Sequence, residues 1–89
     1  MEISKGEITL PVSLFGREVN KVVQGTNKLK SSVYLMKNDR TVNLKSILGI
    51  LSSNCCAGNV VTIMCLNNDK SVAEHDRIYV EKLLKSGDF

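Results

Sequence analysis

TVNLKSILGIL, residues 41–51, changes its hydrophobic period in the middle, and that change sets the architecture of the chain around it. Val42 and Leu44 alternate with Asn43 and Lys45, which is the period of a half-buried strand. Ile47, Leu48, Ile50 and Leu51 then follow the spacing of a short helix. Ser46 stands at the junction as an N-cap, where its hydroxyl can accept from an orphan N–H of the first turn. An anion placed there meets the positive end of the helix dipole.

Working outward, Glu7 to Val12 alternates with Ile8, Leu10 and Val12 on one side, and Pro11 marks a strand end or edge. From Gly16 to about Leu29 the spacing predicts a helix with Val19, Val22, Val23 and Thr26 on its apolar face. Ser32 to Lys37 reads as a strand, Asn38-Asp39 as a hairpin turn, and Arg40 to Leu44 as the partner strand. The short helix runs from Ser46 to about Asn54, and Ala57-Gly58-Asn59 breaks it. Val60 to Leu66, β-branched and apolar nearly throughout, is the candidate central strand. After a turn at Asn67-Asn68-Asp69, Ser71 to Lys85 forms a last helix with Val72, Tyr79, Val80, Leu83 and Leu84 near one face and Gly87 past its end. The order is βαββαβα, an α+β arrangement.

Eighty-nine residues make one domain, 1–89, with room for a single compact core. A net charge of +3 with two Phe and two Tyr is far from a nucleic-acid footprint, so direct nucleic-acid binding is not expected and proteins are the expected partners. The N-terminal MEISKGEITLPVS has neither a long apolar run nor a cleavage site, so no membrane insertion and a cytoplasmic location are expected. Cys55, Cys56 and Cys65 are odd in number and lack Cys-x-x-Cys spacing, which argues for reduced thiols and against a metal site. No cofactor is implied. Cys55 and Cys56 sit near the negative end of the short helix, which disfavours a thiolate nucleophile.

TVNLKSILG closely resembles the signature around the regulatory serine of the HPr family, the small phosphocarriers of the bacterial sugar phosphotransferase system. The resemblance extends from about Glu7 to about Asn67, with matches at Val23-Gln24, Lys28, Val33 and Leu35, and fades beyond. It implies an open-faced β-sandwich, a four-stranded antiparallel sheet covered on one face by three helices. Without a gap, Glu74 and Arg77 would fall where that family has apolar residues; an insertion of one or two residues near 67–70 restores the face.

The family's carrier activity uses a histidine in a Gly-x-His-Ala-Arg-Pro context at the start of its first helix. Here the corresponding run is SLFGREV: Phe15 stands in the histidine's place, Arg17 is kept, and Glu18 replaces the proline. A phenyl ring has no lone pair to attack phosphorus, so the relay is expected to be absent and the chain not to be an enzyme. His75 has none of the support a phosphoacceptor needs. Arg17 reads either as a phosphate and partner contact or as a plain surface arginine, and Lys45 joins it beside the serine.

The resemblance implies that Ser46 is phosphorylated by a bifunctional serine kinase/phosphorylase, after which the protein binds the catabolite-control transcription factor. The bland alternative is a cap worth about 1 kcal/mol. Ile50 is assigned to the core; Phe15, Ile47, Leu48 and Leu51 form a candidate protein-docking patch. The variant resembles the histidine-lacking paralogues that act in catabolite repression. The alternative is a degenerate carrier that serves as a decoy for phosphotransferase-system enzymes.

Overall fold

The computed structural model describes residues 1–86. The elements are β1 (Glu2–Thr9), α1 (Arg17–Thr26), β2 (Ser32–Lys37), β3 (Arg40–Asn43), α2 (Ile47–Leu51), β4 (Val60–Asn67) and α3 (Lys70–Lys85). The βαββαβα order is as the sequence predicts. The four strands form one antiparallel sheet in the order β1-β4-β2-β3, so the apolar strand β4 is central and pairs on both sides.

One face of the sheet carries the core. Ile8, Val33, Leu35, Val42, Val61, Ile63 and Cys65 point into it and meet Val19 and Val22 of α1, Ile50 of α2, and Val80 and Leu84 of α3. The alternation within β2 and β4 is what lets one face bury while the other stays open: Tyr34 and Met36 lie on the side opposite Val33 and Leu35. The hairpin between β2 and β3 turns on Asn38, whose φ of 54° lies in the left-handed region that asparagine tolerates.

Three elements differ from the expectation by more than one residue. The first strand spans Glu2–Thr9 rather than Glu7 to Val12, because β4 is long enough to pair eight residues, from Glu2 opposite Asn67 to Thr9 opposite Val60. Pairing extended a segment whose own alternation was weak. Helix α1 stops at Thr26, whose hydroxyl donates to the Leu44 carbonyl at 2.7 Å and so turns the chain toward β3. Helix α2 stops at Leu51, and Asn54 adopts φ 56°, so Cys55 and Cys56 follow the helix rather than end it.

The last helix also differs in its buried face. Lys70 begins it, with Asp69 as the cap, and the buried residues are Ala73, Asp76, Val80 and Leu84. Tyr79 is exposed, and Val72 and Leu83 are only half-buried. Spacings of three and four still hold, but Asp76 is on the stripe because the Ser31 backbone N–H donates to its carboxylate at 3.2 Å. Arg77 is half-buried and lies over β1, while Glu74 is exposed. Gly87, expected past the helix end, lies outside the described residues.

Candidate functional site

The site is built where the start of α1, the end of β3 and α2 converge. Ser46 is extended, with φ −112° and ψ 116°, and caps α2: the Gly49 N–H donates to its Oγ at 3.1 Å. Gly49 is in close quarters, since a Cβ there would lie 3.3 Å from Ser46 Oγ. Asn43 Oδ1 accepts from the Lys45 N–H at 2.9 Å and sets the bend that enters the cap.

Side-chain exposure divides α2 as the sequence predicts. Ile50 is fully buried, whereas Ile47 and Leu51 are each 43 % exposed and Leu48 is 79 % exposed. Phe15, at 45 % exposure, lies at the start of α1. The loop that carries it is fastened beyond α2: the Leu14 N–H donates to the Cys55 carbonyl at 2.9 Å, and the Ala57 N–H to Ser13 Oγ at 2.9 Å. Leu14 is buried, which leaves the next side chain, Phe15, outside. Gly16 then takes φ 59°, a left-handed conformation that explains glycine between Phe15 and α1.

Arg17 is the first residue of α1 and is exposed. Lys45 is half-buried, and its ammonium donates to the Leu29 carbonyl at 2.8 Å, so it is engaged with the chain after α1. His75 lies on the exposed side of α3, 3.8 Å from its neighbour Asp76. The structure therefore gathers Phe15, Ser46, Ile47, Leu48 and Leu51 on elements that meet, and leaves His75 on another helix.

Two residues that hold the site escaped the sequence. Lys37 Nζ donates to the Asn54 carbonyl at 2.8 Å, and Arg40 Nη1 to the Ser52 carbonyl at 3.3 Å. Arg40 thus meets the C-cap carbonyl of α2 and favours its dipole, while Lys37 fastens the turn that follows. A basic residue on each side of a hairpin turn was the only signal, and it does not say what the side chains reach. A polar cleft of about 420 Å³ beside α2, lined by Arg40, Thr41, Asn43 and Ser52, adds no group able to do chemistry. Burial pushes the Cys65 thiol up to about 11, which keeps it a neutral core side chain. Among the described residues no three His, Cys, Asp or Glu side chains cluster as metal ligands, and no helix is long and apolar enough to cross a membrane.

An antiparallel open-faced sheet backed by three helices, with a serine-capped apolar helix beside the start of the first helix, defines the HPr-like class of α+β protein. The chain matches the family model of the PTS HPr component phosphorylation site over residues 4–78. It is 35 % identical over 69 residues to the HPr-like protein Crh of Bacillus subtilis, covering 78 % of this chain and 81 % of that protein. Against the HPr-like protein Crh of Halalkalibacterium halodurans the identity is 31 % over 77 residues, 85 % of this chain and 92 % of the other. The crystal structure of the phosphocarrier protein HPr from Bacillus anthracis superposes with a TM-score of 0.74 at 26 % identity, covering 89 % of this chain and 98 % of that one. The chain belongs to the PTS HPr family. That membership supports a role tied to the phosphotransferase system or to catabolite repression.

Proposed function

We propose that this chain is a regulatory docking protein of the phosphotransferase and catabolite-repression system, switched at Ser46 and without phosphohistidine transfer. The observation that carries the reading is Leu48, 79 % exposed on the helix that Ser46 caps, with Ile47, Leu51 and Phe15 also exposed. Apolar side chains held in solvent add little to the core, and grouped around a short helix they suit a protein partner. Phe15 replaces a nucleophilic corner by an apolar one and enlarges that surface.

A kinase would transfer the terminal phosphoryl group of ATP to Ser46 Oγ, releasing the hydroxyl proton and ADP. The esterified oxygen keeps acceptor capacity for the Gly49 N–H, and the added charge of about −2 lies at the positive end of α2, so the helix tolerates it. Arg17 is free to meet a partner or a phosphate, while Lys45 must first leave the Leu29 carbonyl. The serine kinase/phosphorylase and the catabolite-control transcription factor are the partners this reading implies, in the cytoplasm and without direct contact to nucleic acid.

A second reading rests on Arg17 being kept while Phe15 is not a nucleophile. The same face would then occupy phosphotransferase-system enzymes as a decoy that cannot accept a phosphoryl group. Intact mass after incubation with the serine kinase and ATP tests the switch: one added phosphate is expected, and none on Ser46→Ala. No addition with an active kinase overturns it. Incubation with phosphoenolpyruvate and the upstream enzyme is expected to leave no acid-labile label; label on His75 would overturn the absence of a relay.

A further inference from the structure

We propose that the outer edge of β3 takes up an extended segment of another protein, antiparallel to β3, with an apolar residue seated against Val42 and an acidic one against Arg40. Strand β3 is terminal in the sheet, and among the described residues it pairs only with β2. The Leu44 N–H donates to the Val33 carbonyl at 3.0 Å, and bonding toward a neighbouring strand alternates along the chain, so Val42 and Arg40 also bond inward to β2. Thr41 and Asn43 therefore turn their backbone groups outward. The Asn43 carbonyl is taken by the Ser46 N–H at 3.1 Å. The Thr41 N–H and C=O and the Asn43 N–H remain at strand spacing, a template for one more strand.

The cleft of about 420 Å³ beside this edge gives the added strand its side-chain preferences. Residues directly opposite each other in an antiparallel pair project to the same side of the sheet. Val42 is a core residue and Arg40 reaches the Ser52 carbonyl of α2, so both lie on the helix side. The two partner residues opposite them enter the cleft, while the one between, opposite Thr41, stays on the open face. Gly49 lines the cleft without a side chain, which leaves that space open.

Charge selects the occupant. Lys37 and Arg40 outweigh Asp39 of the turn at this end of the cleft, and the planar guanidinium fork suits a carboxylate. A second β3 centred on Thr41 would set its own Arg40 against Val42 and supply no acid, so another copy of this chain does not fit. A small anion or a nucleic acid lacks the N–H and C=O groups at strand spacing that the Thr41 backbone asks for, whereas an extended peptide has them. Read from its N-terminus, the fitting segment is apolar, then any residue, then acidic. Nothing here uses Phe15, Leu48 or phosphorylation of Ser46, so it stands or falls apart from the function proposed above.

Amide NMR of the full chain tests it, with the acetylated and amidated peptide Thr-Val-Thr-Glu-Thr added to millimolar concentration. Weak, saturable shifts centred on the Thr41 and Asn43 amides are expected. Methylating the amide nitrogen of the central threonine removes the donor to the Thr41 carbonyl, and should weaken binding about fivefold or more. Replacing the peptide's glutamate by lysine should do the same. Thr41→Pro deletes the outward N–H and leaves the ladder to β2, since an edge strand tolerates proline whose nitrogen faces out. With its fold checked by circular dichroism, it should bind as weakly as the parent chain binds the methylated peptide. No saturable shift, shifts centred on Ile47 and Leu48, or equal binding by the methylated or the lysine peptide overturns the proposal. Concentration-dependent shifts of Thr41 and Asn43 without peptide overturn it too, because a second copy would then occupy the edge.

Discussion

Ser46 holds the start of α2, and substitution separates that role from the switch proposed for it. As a cap it satisfies the Gly49 N–H, so Ser46→Ala is expected to cost about 1 kcal/mol in urea unfolding. Ser46→Asp keeps an acceptor and an anion at the same helix end, and should recover most of that loss. Asp69 offers a pH test of the other side-chain cap. Hydrogen bonds from the Ser71 hydroxyl, then from the Ser71 and Val72 N–H groups, hold its carboxyl below the ordinary 3.8. Because the folded value is depressed, its stabilisation is complete above about pH 4 and disappears as pH falls through the folded pKa. Asp69→Asn is expected to retain the cap geometry and flatten this part of the acid limb in pH-dependent unfolding. Both capping residues lie at a visible change of pattern in the sequence, yet the pattern marks only Ser46 as a cap. The Asn67-Asn68-Asp69 run reads as a turn, because a turn aspartate and a capping aspartate have the same flanks.

Helix α2 is too short to hold itself together, and its stability comes from Ile50 beneath it and from fastenings at both ends. Ile50→Ala should therefore cost about 2 to 4 kcal/mol, read as a fall in the denaturation midpoint. Leu48→Ser, on the exposed side, should change stability by no more than about 0.5 kcal/mol while abolishing binding to whichever protein uses this face. That contrast, measured by unfolding and by calorimetric titration, would divide core from the proposed docking surface within one five-residue element. The period places Ile47, Leu48, Ile50 and Leu51 together; one side has to cover the sheet, and the exposed patch was implied by the family resemblance rather than by the spacing. The basic residues Lys37 and Arg40 at the other end were not legible: their partners are backbone carbonyls of Asn54 and Ser52, more than ten residues on. Helix α3 carries the opposite lesson. Its period was readable, but the stripe contains Asp76, which no hydrophobic pattern admits until the Ser31 N–H is placed against it.

Across the whole molecule the three thiols report the layering. Cys55 and Cys65 are buried and Cys56 is exposed, so a disulfide-exchange reagent should modify one thiol quickly in the native state and all three after unfolding. The Cys65 thiol is raised from 9.0 to about 11, chiefly by burial, and a raised folded value makes stability fall as pH rises between those values. Cys65→Ala should remove that part of the alkaline limb, at the cost of a smaller core. The sequence by itself determined the order of the elements, the central place of β4 and the cap at Ser46. Each of these is written in a local period or in the chemistry of one residue. Only the tertiary structure decided where β1 begins, which face of α3 is buried, and that Lys45 rests on the Leu29 carbonyl. Those outcomes depend on pairing partners and backbone acceptors brought close from distant parts of the chain, and local periodicity carries no record of them.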